Sequence, residues 1–439
     1  MLTQRDTHAY MTDRRNSTAV VAKRRTDTPI ETDEIRALCE AAGVEVVAER
    51  TQARPRDPTY DLGDGAVADI AGLVERRSAD LVVVDDHLDP GRAHNLQEAV
   101  GAEVVDRARL VLDIFGERAE TKRARLEVRL AELRYELPRA QARVERGETQ
   151  GRQGFRSGGE RPAAQLKADY RQRITDRRAE LDRLDDADDG LREARRESGF
   201  DLVALAGYTN AGKSTLLRRL ADDLAVDEND GHGDRTDTAA SRDRLFETLN
   251  TTTRRATVGE RRVLLTDTVG FVDDLPRWLL SSFRTTLAAA READAVLLVV
   301  DATDDREGIR AKVEASRDEL ADAEGTLVPV LNKRDAATDL DAKRRLLAEH
   351  AGHAPVVTSA TGAEGLDALR ERLTDALPDR RRVSLSVPNT DAGNAFVSWC
   401  HDRGTVHEPD YGERIAFGFE ARPEVTAKAT GRAEQLNED

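Results

Sequence analysis

The sequence predicts an α/β protein. Its main domain is a mostly parallel sheet flanked by helices, preceded by a small α/β domain with a long helical hairpin and followed by a small α+β domain. Three observations carry this. Five apolar runs after residue 200, DLVALAG, RRVLLTDT, AVLLVVDA, TLVPVLNK and APVVTSA, have the length of buried strands and alternate with helical stretches. A similar helix–strand alternation occupies 30–115. Between them the apolar residues keep helical spacing through strongly charged sequence.

Composition bounds the rest. A chain of 439 residues holds about two to four domains and a sizeable core. No apolar run reaches the roughly 18 residues of a membrane span. The start, MLTQRDTHAYMTDRRNSTAVVAKRR, is basic but lacks the apolar stretch of a secretory signal. Residues 1–28 are expected to form a disordered tail, with Met11 a second candidate start. Cys39 and Cys400 lie too far apart in sequence to suggest a disulfide framework. These features lead us to expect a cytoplasmic protein. The net charge is −16, and only 8 of 68 basic residues are Lys. That acidic, Arg-biased balance suits a salt-rich cytoplasm, with a halophilic archaeon as the expected source. The alternative is an ordinary acidic surface shaped by codon usage.

The elements follow in order. Within 29–115, IRALCEAAG, DIAGLVERR and LQEAVG read as helices, and VEVVAE, ADLVVVDD and AEVVDR as strands. Residues 116–198 read as two long helices joined by the Gly-rich GETQGRQGFRSGGERP. Over 118–183 there are 18 Lys and Arg against 11 Asp and Glu, in a chain that is acidic overall. This is either a solvated, salt-bridged hairpin or an RNA contact with Phe155 near its tip. Residues 199–378 form the main domain, with a polar acidic loop at 226–243. In 383–430, RVSLSVP and ERIAFGFEA read as strands and NAFVSWCHDR as a helix.

The chemistry begins at GYTNAGKST, which matches G-x-x-x-x-G-K-[ST] between a strand and a helix. Gly207, Tyr208, Thr209, Asn210, Ala211, Gly212, Lys213, Ser214 and Thr215 would ring a nucleotide's phosphates with backbone amides at a helix N-terminus. Lys213 would reach the β- and γ-phosphates, and Ser214 would ligate Mg²⁺. NKRD selects the base. Asp335 can accept from guanine N1–H and N2–H₂, a donor pair that adenine lacks. Asn332 can tie the base region to the phosphate loop, Lys333 can cover the base face, and Arg334 lies between Lys333 and Asp335. Ser359, Ala360 and Thr361 follow another strand, where the Ala360 N–H can serve guanine O6.

In DTVG, Asp267 is expected to hold Mg²⁺ through water and the Gly270 N–H to sense the γ-phosphate, with Thr268 and Val269 between them. A switch threonine completes the metal shell. Thr248 lies eleven residues before the turn Gly259-Glu260 and is preferred, with Thr253 second. Phe246, Glu247, Leu249 and Asn250 are taken as further nucleotide contacts. Lys213, Thr248 and Gly270 are the expected catalytic set. Cys400, His401 and His407 lack metal-ligand spacing.

Together GYTNAGKST, LFETLN, DTVGFVDDLP, WLLSSFRTTL, NKRD and SAT resemble the HflX family of P-loop GTPases. The resemblance continues upstream through LGDGAVADI, HLDPGRAHNLQEAVGAEVVDRARLVLDIFGERA and LEVRLAELRYELPR. It implies a GTPase that binds GTP and GDP and associates with the large ribosomal subunit, where family members are linked to splitting stalled or idle ribosomes. The helical part would reach ribosomal RNA, and the chain is expected to act as a monomer. Three departures stand out: Ala66 where the family has lysine, FRSGGERPAAQLKAD in place of its usual Gly-rich loop, and the longer loop at 226–243. The alternatives are an RNA-binding GTPase of ribosome assembly or tRNA and rRNA maturation, and a GTP-gated hibernation scaffold with little turnover.

Phe271 stands where many GTPases carry a water-orienting Gln. The resemblance makes Phe normal at this position. Slow intrinsic hydrolysis follows, to be raised by the ribosome or by K⁺ beside Asn210. The other reading of Asn210 is that its side chain braces the loop by hydrogen bonds to the backbone.

Overall fold

The computed structural model describes residues 14–26, 28–146, 160–221, 252–268, 270–271, 276–280, 282 and 289–438. The chain divides into two compact units. One takes the described residues up to Leu184 with those of 276–282, and the other takes the remainder.

In the first unit, β1 (Thr18–Arg25), β2 (Glu45–Ala53), β3 (Leu81–Val84) and β4 (Glu103–Asp106) form a parallel sheet in the order β2-β1-β3-β4. Helices α1 (Asp33–Ala41), α2 (Asp64–Arg77) and α3 (Pro90–Val100) connect them. The start of α3 is set by sequence: Asp89 accepts from the amides of Gly91 and Arg92, and Pro90 supplies a fixed φ. β1 corrects an expectation, because residues 18–25 are a central strand and not part of a disordered tail. Its apolar stretch, AVVA, is only four residues long and is followed by LysArgArg, so composition hid it. Lys23 and Arg24 are buried there because Asp85 and Asp61 receive them, at 2.7 and 3.3 Å.

Next come α4 (Arg107–Arg118), α5 (Lys122–Glu145) and α6 (Glu160–Glu197). α5 and α6 pack through Leu126, Leu130 and Leu181, then through Leu133, Ala140 and Tyr170. Asp106 joins the sheet to these helices. It caps α4 by accepting from the Arg109 amide at 2.9 Å, and it also receives the Tyr135 hydroxyl at 3.0 Å and Arg139 at 2.9 Å. Phe155 lies outside the described residues.

The second unit contains a six-stranded sheet in the order β10-β9-β8-β5-β7-β6. The strands are β5 (Asp201–Gly207), β6 (Thr253–Val258), β7 (Arg261–Asp267), β8 (Ala295–Asp301), β9 (Thr326–Asn332) and β10 (Val356–Val357), and β6 alone of them runs antiparallel to its neighbour. Helices α7 (Lys213–Leu220), α9 (Arg306–Glu319), α10 (Leu340–Ala351) and α11 (Leu366–Ala376) cover its two faces, and α8 (Arg277–Leu280) belongs to the first unit. Strands buried on both faces are continuous apolar runs, which is why β5, β7, β8 and β9 were readable in the sequence, whereas β6, TRRATV, was not among the expected runs.

The C-terminal part is an antiparallel sheet β11-β13-β12, from β11 (Arg381–Pro388), β12 (Thr405–Tyr411) and β13 (Arg414–Ala421), with α12 (Asp391–His401) and α13 (Pro423–Glu438). α13 extends past the expected end at 430. Cys400 is a core residue of this part, its thiol pushed up to about 12 by burial. His407 pairs with Glu420 at 3.1 Å.

Candidate nucleotide site

The site lies at the carboxyl ends of β5, β7 and β9, where open α/β sheets place ligands. β5 ends at Gly207 and α7 starts at Lys213, so the chain must turn within five residues. It does so through Asn210 at φ +63° and Gly212 at φ +92°. Gly212 also needs its missing side chain, since a Cβ would stand 2.3 Å from Asn332 Nδ2.

Lys213 is buried, and its ammonium donates to the carbonyls of Gly207 at 2.9 Å and Tyr208 at 2.7 Å. Burial pulls its pKa down to about 8, with Asp267 opposing. The Ser214 hydroxyl donates to Asp267 at 2.6 Å. A hydroxyl and a carboxylate set side by side are hard oxygen donors, a set that fits Mg²⁺ completed by phosphate and water oxygens. Thr268 fixes this corner, its hydroxyl donating to the Leu205 carbonyl at 2.7 Å.

The sensor loop lies against the phosphate loop. Thr209 N–H donates to the Phe271 carbonyl at 2.7 Å, and Phe271 N–H donates to the Gly207 carbonyl at 3.0 Å. A Cβ on Gly270 would stand 2.7 Å from Thr209 Cγ2 and 2.8 Å from Lys213 Nζ. The Phe271 side chain is only 6% exposed and packs with Ala204, Ala206 and Ala290, its ring 5.8 Å from that of Tyr208. The spacing of DTVGF gave no sign of this pairing. What the sequence did offer is that an apolar residue at the end of a glycine loop has to be buried somewhere.

The base-side residues Asn332, Lys333, Arg334 and Asp335 lie at and just after the end of β9. Asn332 Nδ2 donates to the Ala211 carbonyl at 2.9 Å, tying the phosphate loop to β9. Its oxygen accepts from Thr358 at 3.1 Å and from the Ala360 amide at 3.0 Å. The amide expected to serve guanine O6 is therefore engaged with Asn332. Lys333, at φ +64°, pairs with Asp301 at 2.9 Å, and Arg334 with Glu364 at 3.2 Å. The Asp335 carboxyl is held below its ordinary range, chiefly by the Ser359 hydroxyl. The hydroxyls of Ser359 and Thr361 lie 3.2 Å apart.

Phe246, Glu247, Thr248, Leu249, Asn250 and Val269 lie outside the described residues. Thr253 is described, and its hydroxyl is 3.1 Å from that of Thr266 across the β6–β7 ladder. This is the place of a strand residue.

Three family models match: GTP-binding GTPase N-terminal over 30–116, GTP-binding GTPase Middle Region over 118–195, and 50S ribosome-binding GTPase over 202–333. The GTPase HflX of Thermococcus kodakarensis is 36% identical over 395 residues, covering 87% of this chain and 86% of its own. That of Methanocaldococcus jannaschii is 34% identical over 362 residues, covering 81% and 84%. That of Escherichia coli is 34% identical over 357 residues, covering 78% of each. With relatives this similar over most of both chains, and a phosphate loop and NKRD joined through Asn332, the chain belongs to the HflX family of GTPases.

Proposed function

We propose that this GTPase hydrolyses GTP slowly by itself and that the large ribosomal subunit accelerates it, in ribosome dissociation or rescue under stress. The observation that carries the reading is Phe271. Its ring is packed into the core and bears no polar atom, so the residue after the sensor glycine cannot orient a water. In this reading a group from outside the chain does so. The ribosome as its source is supported by the family model that matches 202–333, a 50S ribosome-binding GTPase.

The roles follow from chemistry. Lys213 neutralises charge between the β- and γ-phosphates, and the loop amides cradle them. Thr209 N–H has to release the Phe271 carbonyl before it can donate to a phosphate, so nucleotide binding and the position of the sensor loop are linked. Gly270 N–H then meets the γ-phosphate. Ser214, with Thr248, would hold Mg²⁺, which when bound offsets the charge of the β- and γ-phosphates. Asp335 selects guanine. K⁺ beside Asn210 is the second source of activation. It is supported by that residue's exposed place in the loop at φ +63°.

The protein is proposed to be cytoplasmic and monomeric. Among the described residues no helix is long and apolar enough to cross a membrane. Sedimentation with purified large subunits tests the partner. Pelleting with a non-hydrolysable GTP analogue and release with GDP are expected. Equal absence from the pellet in both states contradicts the reading.

A further inference from the structure

Four arginines of the second unit stand over aromatic rings and, among the described residues, make no ion pair with a carboxylate: Arg255 on β6, Arg262 on β7, Arg403 after α12, and Arg432 on α13. Their neighbours do. Arg261 and Arg422 both reach Asp201 at 2.8 Å, and Arg422 reaches Asp294 at 2.7 Å.

Each of the four lies over an aromatic ring. The Arg262 guanidinium is 4.2 Å from the Phe200 centroid and that of Arg255 5.6 Å. Those of Arg403 and Arg432 are 4.7 and 4.8 Å from Trp399. The two ring sites are contiguous. Arg262 donates to the Asp402 carbonyl, and Gly199, at φ +81°, lies so close to Arg403 that a Cβ would stand 2.1 Å from its carbonyl oxygen. Burial lowers the Arg262 pKa, and the charges of Arg255, Arg403 and Arg380 lower it further while Asp402 opposes. Arg255 and Arg403 therefore repel Arg262. Arg255 and Arg432 are exposed, and Trp399, Arg262 and Arg403 half-buried.

A guanidinium held over a ring keeps N–H groups that suit phosphate oxygens. A polyanion would also relieve the mutual repulsion. We propose that Arg255, Arg262, Arg403 and Arg432, set on Phe200 and Trp399, form a surface that binds the phosphate backbone of RNA. This deepens the ribosome reading and rests on it, because ribosomal RNA is the polyanion that reading supplies. The surface is separate from the nucleotide site, since Arg262 and Asp201 lie toward the opposite ends of strands β7 and β5 from Asp267 and Gly207.

The test uses the full chain and a fluorescein-labelled single-stranded RNA of about 24 nucleotides, followed by anisotropy across a KCl series. Arg255→Gln with Arg432→Gln alters only exposed side chains outside the nucleotide site, so GTP turnover without ribosomes is expected to stay unchanged. RNA affinity should fall about tenfold or more, and the slope of log affinity against log salt should flatten by about 1 to 2. If the double variant keeps wild-type affinity and slope, or the wild type binds no RNA, the surface proposal is overturned. Polyglutamate displacing the RNA as well as unlabelled RNA does, at equal charge, would also overturn it. Binding of large subunits is scored in parallel. Loss of subunit binding by the wild type defeats the ribosome reading itself, whereas subunit binding unaffected by the double variant defeats this surface alone.

Discussion

Lys213 is a buried ammonium whose pKa burial lowers to about 8 from an ordinary value of 10.5. The folded chain thus holds this proton less tightly than the unfolded chain does. Its contribution to stability is unfavourable at neutral pH and improves as pH rises from about 8 to 10.5. Phosphates reverse the shift, so at pH 8.5 GTP binding should take up a proton. Calorimetry in two buffers of different ionisation heat measures this, and no buffer dependence would contradict it. Gly270→Ala pushes a methyl against Thr209 and Lys213, and should cut GTP turnover about a hundredfold or more while GDP affinity changes far less. Asp335→Asn should weaken GTP much more than ATP, and equal loss would contradict the base assignment. Nearly all these residues were legible, because phosphate and guanine recognition need fixed residue types at fixed strand ends. The pairing of Phe271 with the phosphate loop was not legible. Backbone hydrogen bonds leave no mark on side-chain pattern.

Elements were legible where burial is two-sided and illegible where it is partial. β12, with the sequence TVHEPDY, is an edge strand with a register shift between His407 and Asp410, so its proline and charges are tolerated and no alternation shows. α13 faces the sheet with Val425, Ala429 and Ala433, residues too small to stand out as an apolar stripe. Arg422, between β13 and α13, could not be foreseen either. It reaches Asp201 and Asp294 at the starts of β5 and β8, and so fastens the C-terminal part to the base of the large sheet. Arg422→Met leaves two buried carboxylates without that cation and should cost about 3–5 kcal/mol. Chemical denaturation followed by fluorescence reads this as an earlier transition, and an unchanged midpoint would mean that the junction tolerates the loss.

At the scale of the molecule, the described residues on either side of 272–275 fall in different units. Phe271 belongs to the second, whereas the described residues of 276–282 belong to the first. There Leu279 is fully buried, and the Ser282 hydroxyl accepts from Arg134 at 2.6 Å. The claim most open to direct test is that Phe271 leaves water positioning to the large ribosomal subunit. GTP turnover by the purified chain should be measured alone, with large ribosomal subunits, and with NaCl replacing KCl. We predict slow turnover alone and stimulation of at least tenfold by subunits in either salt. Turnover that is already fast without subunits, or that follows K⁺ and ignores them, would contradict the account.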